Sequence, residues 1–418
     1  MALRRIFHID VNSAFLSWSA ADHLLMGGTT DYRTIHAAVA RPSKDGRGII
    51  LAKSESAKKL GVITGEPIWM AKEKCPDLYL VPPDYGLYLK ASNAMKQIFF
   101  EYSPAVESFS IDECFIDMTG QEKFFGSPLA AAYALKGRIK RELGFTVNVG
   151  IGNTKATAKM ASEFEKPDRV HTLWNHEIPT KLWPLPIENL FMAGRRTVKK
   201  LRKIGINTIG DMACVHPDLI RKLLGKQGIL LRNYANGVDD SPVLEGPPEP
   251  PKSISQSVTL PFLLENLEDS VPIMLCIADH LADKLRKKAM AASVVSVGIK
   301  DHDRIHRGKQ CCPPELVLHR RDIYRYAMDL LAELWPEKKK VKYVAIHLGG
   351  LTFDYEMENT LFGRDILRDE RLEEAVFRIR SRYGDRMIMP ARLLGSNTES
   401  LFRDFEENDE NPLPPRFF

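Results

Sequence analysis

The sequence predicts an α+β protein of more than one domain. Three observations carry that prediction. The chain has 418 residues, more than one ordinary hydrophobic core organises. Short β-rich runs alternate with helical segments through about residue 164 and again after residue 252. Between them lie two proline-rich stretches, LWPLPIENL at 182–190 and EGPPEPPK at 245–252, the second with four prolines in eight residues.

The elements follow from pattern in chain order. RRIFHIDV at 4–11 reads as a short buried strand ending in a polar loop, and GIILAK at 48–53 as another strand. A short helix begins over 54–60, and GEPIWMAKEKCP gives a second that stops at Pro76. Residues 86–102 have helical period, with Leu87, Leu89, Met95, Ile98 and Phe99 as the apolar stripe. VESFSIDECFIDMTG at 106–120 is two β-rich runs meeting at an acidic pair. Residues 127–143 are Ala-rich and helical, FTVNVGIG is a strand, and 154–164 is helical. LWPLPIENL marks a first boundary; beyond it Thr197 to Ile204 is a basic helix, and GINTIGDM turns into another. EGPPEPPK reads as an extended, semi-rigid linker. After it, SISQSVTLP, ASVVSVGIK and VKYVAIHLGGL read as strands, with helices at 269–288 and 322–335, a small α+β domain of its own. The tail from 355 has one amphipathic segment, 369–382, and ends in the disorder-prone ENDENPLPPRFF.

Composition excludes several classes. Hydrophobic content of 44% with 27% charged residues describes a globular chain, not collagen, coiled coil or wholesale disorder. No apolar run approaches the roughly 20 residues a membrane helix needs. The start reaches Asp10 before a signal-peptide core can form. Six cysteines without a C-x-x-C pair argue for a reducing cytoplasm, with neither a disulfide framework nor a zinc site. Charge is unevenly spread. Residues 184–243 hold ten Lys/Arg against five Asp/Glu, whereas 355–418 hold ten against fourteen. A basic middle and an acidic tail fit a polyanion binder, and a solvated helix face gives the same count.

Three carboxylates stand out. Asp10 ends an apolar strand, and Asp112 and Glu113 sit where two strands meet. Strand alternation sends adjacent side chains to opposite faces, so a turn or bulge is required for both to reach one site. Converging acids with nothing basic beside them repel, and hard oxygen donors of this kind suit Mg²⁺. Taken alone, a strand-end Asp and a polar hairpin tip are the commoner explanation of such residues.

The longer strings go further. DVNSAF at 10–15, AKKLGVITGEPI at 57–68, SIDECFID at 110–117 and VGIGNTKATAKMASEFEKP at 149–167 occur in this order and spacing. Together they resemble the Y-family DNA polymerases, the translesion enzymes of the bacterial polymerase IV (DinB) and UmuC groups, over residues 4 to about 354. The resemblance implies a right-hand polymerase: a ferredoxin-like palm from 1–24 and 83–180, small fingers at 25–82, a helix-hairpin-helix thumb at 184–243, a linker at 244–252, an α+β little finger at 253–354 and a tail at 355–418. It implies template-directed, low-fidelity DNA synthesis past damaged bases, with two Mg²⁺ ions per site and no proofreading. Primer-template DNA and a dNTP are then the partners, and the protein a cytoplasmic monomer on DNA.

Residue by residue, the resemblance makes Asp10, Asp112 and Glu113 the metal-binding triad, with the Val11 carbonyl a further ligand. Phe15 falls on the steric gate that clashes with a ribose 2′-hydroxyl; Lys58 and Lys166 fall on residues that contact the triphosphate. Ser13 and Ala14 lie where backbone amides approach the phosphates. Asn12 replaces a common Asp, as in the UmuC group, Ala14 stands where an aromatic is frequent, and Lys58 where Arg is common, losing a bidentate fork. IENLFMAGRRTVKKLRKIGI resembles the thumb hairpin, its usual G-x-G reduced to Met192-Ala193-Gly194. Gly194, Arg195, Arg196, Lys199 and Lys200, followed by Arg202 and Lys203, would then meet DNA phosphates. In the tail, ENTLFG at 358–363 resembles a sliding-clamp peptide anchored by Leu361 and Phe362, with Glu358 and Asn359 departing from its pattern. Two rivals remain: a catalytically inactive polymerase-like scaffold of a mutagenesis complex, which predicts loss of the triad, and a ferredoxin-like palm used for nucleotide cyclisation, which leaves the basic middle unexplained.

Overall fold

Strand Ile6–Val11 organises the first half of the molecule. It is buried along its whole length and pairs antiparallel with Glu113–Asp117 on one side and Val147–Gly152 on the other. Val106–Ser108 and Val170–Leu173 complete a five-stranded sheet as its edges. Its first four strands in chain order, with the helices between them, make the split β-α-β, ferredoxin-like arrangement. The structure, a computed structural model, describes residues 4–41, 48–246, 250–335, 339–353, 366–384 and 387–393. They fall into two compact units that divide at 248/249, inside EGPPEPPK.

Alternation along the central strands gives the sheet two different faces. Phe7, Ile9 and Val11, with Cys114, Ile116, Val147, Val149 and Ile151, pack against helices Tyr85–Phe100 and Pro128–Leu143 in the main core. The other residues of Ile6–Val11, namely Ile6, His8 and Asp10, face helix Lys155–Ser162. Ile6 shares a small cluster with Ala158, and His8 Nδ1 lies 2.8 Å from Ser162 Oγ. That helix lies unusually close. A methyl on Gly150 would fall 2.1 Å from the Ala158 carbonyl oxygen, and one on Gly152 2.3 Å from Thr157 Oγ1. The G-x-G of the strand is the absence of two side chains where a helix backbone approaches.

A smaller three-stranded sheet, ordered Ala52–Lys53, Ala37–Val39, Tyr79–Val81, carries helices Glu55–Lys59 and Ile68–Lys74. Toward the end of the first unit come four short helices, Arg195–Arg202, Ile209–Cys214, Pro217–Leu224 and Lys226–Ala235. The second unit is a four-stranded antiparallel sheet, ordered His306–Cys311, Ala291–Asp301, Val341–Thr352, Ser253–Leu264. Helices Val271–Lys287 and Arg320–Leu334 pack on it.

The tail segment forms helix Ile366–Tyr383, longer than its amphipathic stretch, and Glu370, Glu373 and Arg380 find partners within the second unit. Arg380, 3% exposed, meets Asp279 at 2.7 Å and Asp283 at 2.9 Å, and donates to the Ile388 carbonyl. Arg286 meets Glu370 at 2.8 Å and Glu373 at 3.4 Å. Leu361 and Phe362 lie outside the described residues.

Three expectations change. The segment after Asp10 is not a polar loop: Ser13 turns the chain at φ 47°, and helix Ala14–Leu25 follows, burying Leu16 and Trp18. GIILAK contributes only Ala52–Lys53 to a strand, while Ile49 makes an isolated bridge to Pro67. In helix Tyr85–Phe100 the buried side chains are Tyr88, Ser92, Met95, Ile98 and Phe99, with Leu87 and Leu89 only partly buried. The Tyr88 and Ser92 hydroxyls have partners inside, Ser19 Oγ and the Ile111 carbonyl, so polarity did not keep them at the surface.

Candidate active site

Asp10 and Glu113 stand directly opposite in the antiparallel register, on the face that receives helix Lys155–Ser162. Like charges so placed destabilise a sheet unless something neutralises them. The helix supplies that charge. Lys159 Nζ lies 3.0 Å from Glu113, 3.5 Å from Asp10 and 2.8 Å from Glu163. Lys166 adds a second ammonium, 3.1 Å from Asp10 and 3.0 Å from Glu163. Nothing basic adjoins the acids in the sequence; the fold brings both ammoniums to them. Carboxylate oxygens of Asp10, Glu113 and Glu163 lie within 4.8 Å of one another.

Burial and charge set the protonation tendencies. Burial raises the Asp10 carboxyl to about 6 against the pull of Lys166 and Lys159. Burial alone would raise Glu163 as well, but Lys159 and Lys166 outweigh it and push the carboxyl down to about 2. Burial would lower Lys159, and the surrounding Glu113, Glu163 and Asp10 hold it above the usual lysine range instead. His8, fully buried behind the acids, is driven down to about 3 by burial and then by Lys159, so its imidazole is neutral. Its Nε2 lies 3.3 Å from Glu113 Oε2, and neither atom has a hydrogen-bond partner.

Asp112 reaches the same cleft by a different route. It sits in the turn between Val106–Ser108 and Glu113–Asp117, whereas Glu113 opens the strand that follows and faces Asp10. The Asp112 carboxylate accepts from Ser110 Oγ at 2.5 Å, its carbonyl accepts from Val11 N at 3.1 Å, and burial raises its carboxyl. It lines the cleft with Asp10 and Val11 but is not one of the three clustered acids. The donor set suits a hard divalent cation: carboxylate oxygens from three positions, one of them, Glu113 Oε2, buried without a hydrogen bond.

The far wall of the cleft comes from the small sheet: Lys53, Lys58 and Thr64. Lys58 is exposed and lies 3.5 Å from Glu55. Lys53 donates to Thr64 Oγ1 at 2.9 Å, and burial, then the neighbouring Lys58, lowers its ammonium below the usual lysine range. Ser13 and Ala14 start helix Ala14–Leu25 at the cleft edge, where unsatisfied amides favour an anion. The Phe15 ring lines the cleft and stacks on Tyr88, centroids 4.5 Å apart and planes 5° from parallel, with Tyr85 edge-on at 6.1 Å. Asn12 is turned away into structure. Its Oδ1 accepts from Thr146 Oγ1 and Asp168 N, and its Nδ2 donates to Asn148 Oδ1, a bond an Asp there could not make.

Sequence reading missed Lys53, Lys159, Glu163 and His8. Lys159 and Glu163 sit at i and i+4, the first in the helix that meets the acidic strand end and the second capping it, and that pairing was the available signal. Farther along the first unit, Arg195, Arg196, Lys199, Lys200 and Lys203 project from helix Arg195–Arg202 and its end, all exposed, while Val198 and Leu201 are buried beneath. Arg202 meets Glu188 at 2.7 Å. Gly194 caps the helix without a left-handed φ; Met192 takes that conformation instead, at φ 68°.

The impB/mucB/samB family model matches residues 9–163, and the model of that family's C-terminal domain matches 251–361. The chain is 37% identical to the DNA polymerase IV of Clostridium acetobutylicum, over 93% of this chain and 98% of that one. It is 35% identical to the DNA polymerase IV of Acetivibrio thermocellus, over 91% and 95%. DNA polymerase IV 2 of Bacillus subtilis is 33% identical over 87% and 89%. A solved Y-family DNA polymerase chimera superposes with a TM-score of 0.73 at 22% identity, covering 84% of this chain and all of that one. The chain belongs to the impB/mucB/samB family and has the fold of a Y-family DNA polymerase.

Proposed function

We propose that this DNA-directed DNA polymerase copies damaged templates at low fidelity, joining a dNTP to a primer 3′-hydroxyl by magnesium-dependent nucleotidyl transfer without proofreading. One observation carries the reading. A single cleft has Asp10 and Asp112 on one side, Lys53 and Lys58 on the other, and Phe15 and Lys166 along it. Acids for metal, ammoniums for phosphate and a ring for the sugar are what a triphosphate undergoing attack at its α-phosphate requires.

Asp10, Asp112, Glu113 and the Val11 carbonyl would hold two Mg²⁺ ions. Bound there, such ions activate the attacking oxygen and stabilise the leaving pyrophosphate. The remaining work belongs to the chain. Lys58 and Lys166, with Lys53 beside them, neutralise the triphosphate, and the amides of Ser13 and Ala14 orient it. Phe15 lies beneath the sugar, and the Tyr88 ring behind it resists displacement by a 2′-hydroxyl.

In this reading the five-stranded sheet is the palm, from 1–24 and 83–180, and 25–82 are the fingers. Residues 184–243 form the thumb, whose Gly194, Arg195, Arg196, Lys199 and Lys200 meet phosphate. The stretch 244–252 links to a little finger at 253–354. The protein works as a cytoplasmic monomer on primer-template DNA, and Leu361 and Phe362 offer an anchor to a sliding clamp. An inactive scaffold is disfavoured because Asp10, Asp112 and Glu113 are all present. Primer extension on undamaged and abasic templates, with magnesium or with chelator, tests the proposal. Full-length extension past the abasic site, lost on chelation and in Asp112→Ala, supports it; extension by Asp112→Ala at the wild-type rate refutes it.

A further inference from the structure

We propose that Glu163 is a positioning residue of the carboxylate centre, holding the Lys159 and Lys166 ammoniums when divalent cations take their other partners, Asp10 and Glu113. The inference rests on the metal reading above. Its observations lie in how the five charges share contacts. Glu163 gives one oxygen to each lysine, Oε1 at 2.8 Å from Lys159 and Oε2 at 3.0 Å from Lys166. Each lysine also has a second acid: Glu113 at 3.0 Å for Lys159, and Asp10 at 3.1 Å for Lys166. The two ammoniums thus stand in the place of a cation, bridging the acids that metal would claim.

A cation entering the site must take Asp10 and Glu113 away from these lysines. Lys159 is 8% exposed, so without a remaining carboxylate it would be a buried, unpaired charge, which costs far more than a surface ion pair returns. Glu163 removes that obstacle. It follows helix Lys155–Ser162 directly, one turn beyond Lys159, so it belongs to the same local backbone as both lysines and not to the acidic strands. In the exchange Lys159 gives up Glu113 and its longer contact with Asp10, Lys166 gives up Asp10, and both keep Glu163.

Manganese(II) binding to the full chain without DNA, read from the electron paramagnetic resonance of free Mn²⁺, tests the inference apart from activity. Glu163→Gln strands the ammoniums on Asp10 and Glu113 and is expected to weaken Mn²⁺ binding about tenfold, equivalent to about 1.4 kcal/mol. Lys159→Met removes one competitor, and its gain should be larger in the Glu163→Gln background than in wild type. Equal gains in the two backgrounds would mean that Glu163 ligates the metal itself, and would overturn the proposal, as would wild-type affinity in Glu163→Gln. Asp10→Asn separates the levels. If it binds Mn²⁺ as wild type does, the metal reading fails, and this inference with it. If it loses binding while Glu163→Gln does not, only the role of Glu163 falls. Circular dichroism melting verifies each fold. Should Glu163→Gln unfold, Glu163→Asp, with the charge on a shorter arm, is expected to lose about threefold, and an unchanged affinity there is equally decisive against it.

Discussion

Gly150→Ala asks how much of the site depends on the closeness of one helix to one strand. A methyl at Gly150 would sit 2.1 Å from the Ala158 carbonyl oxygen and 2.3 Å from the Ser162 amide nitrogen. Both are backbone atoms, so no side chain can rotate aside. Restoring an ordinary carbon–oxygen contact of about 3.3 Å requires the helix to retreat by about 1 Å. Overpacking of this kind costs about 1–3 kcal/mol, and the displaced helix also carries Lys159, whose contact with Asp10 is already 3.5 Å. For a unit of this size the thermal transition should fall by roughly 2–12 °C. Differential scanning calorimetry of the full chain reads that change, and Mn²⁺ binding reads the disturbance of the acids. Gly137→Ala is the matched comparison. It lies exposed within helix Pro128–Leu143 with nothing within 4 Å of the added methyl, so it should stabilise by about 1 kcal/mol through helix propensity. A Gly150→Ala protein with the melting temperature and Mn²⁺ affinity of wild type would refute the close-approach argument.

Further outcomes follow from other parts of the molecule. Phe15→Ala should raise ribonucleotide relative to deoxyribonucleotide incorporation, measured side by side, whereas Tyr88→Leu should give a smaller change in the same direction by removing the ring that backs it. Duplex affinity should fall with salt at a slope of about −0.9 in log–log units per phosphate contacted, and Lys199→Ala with Lys200→Ala should make that slope shallower by about two such steps. Met192→Gly should stabilise the first unit by about 1 kcal/mol in urea unfolding, because Met192 holds a left-handed φ. Arg380→Met should destabilise docking of helix Ile366–Tyr383 by about 3–5 kcal/mol, since Asp279 and Asp283 lose a buried cation; faster hydrogen exchange confined to that helix is the readout.

Much of the palm-like sheet was legible because its strands are short, apolar and bounded by turns. Asp10 and the Asp112–Glu113 pair were legible for the complementary reason, as charges where such strands end. The unread parts share one physical character: they depend on what packs across the chain. His306–Cys311 is an exposed edge strand, HRGKQC, with no apolar alternation to announce it. Tyr88 backs Phe15 across 73 positions, and Lys159 meets Asp10 across 149. The acids looked unaccompanied because their lysines are remote in sequence and near only once helix Lys155–Ser162 settles on the sheet. The acidic tail suggested an outside partner, yet Glu370 and Glu373 find theirs in Arg286.

The two-sidedness of Ile6–Val11 also bears on how such a protein can change over time. Phe7, Ile9 and Val11 answer only to the packing of the core, while Ile6, His8 and Asp10 answer to the helix and the chemistry, although the two sets are interleaved residue by residue. Substitutions at the first set can drift among apolar residues of similar volume without touching the acids. A single inserted or deleted residue is another matter, because it exchanges the two sets at once, sending a carboxylate into the core and an aliphatic chain into the cleft. Variation in this strand is therefore expected by replacement and almost never by change of length.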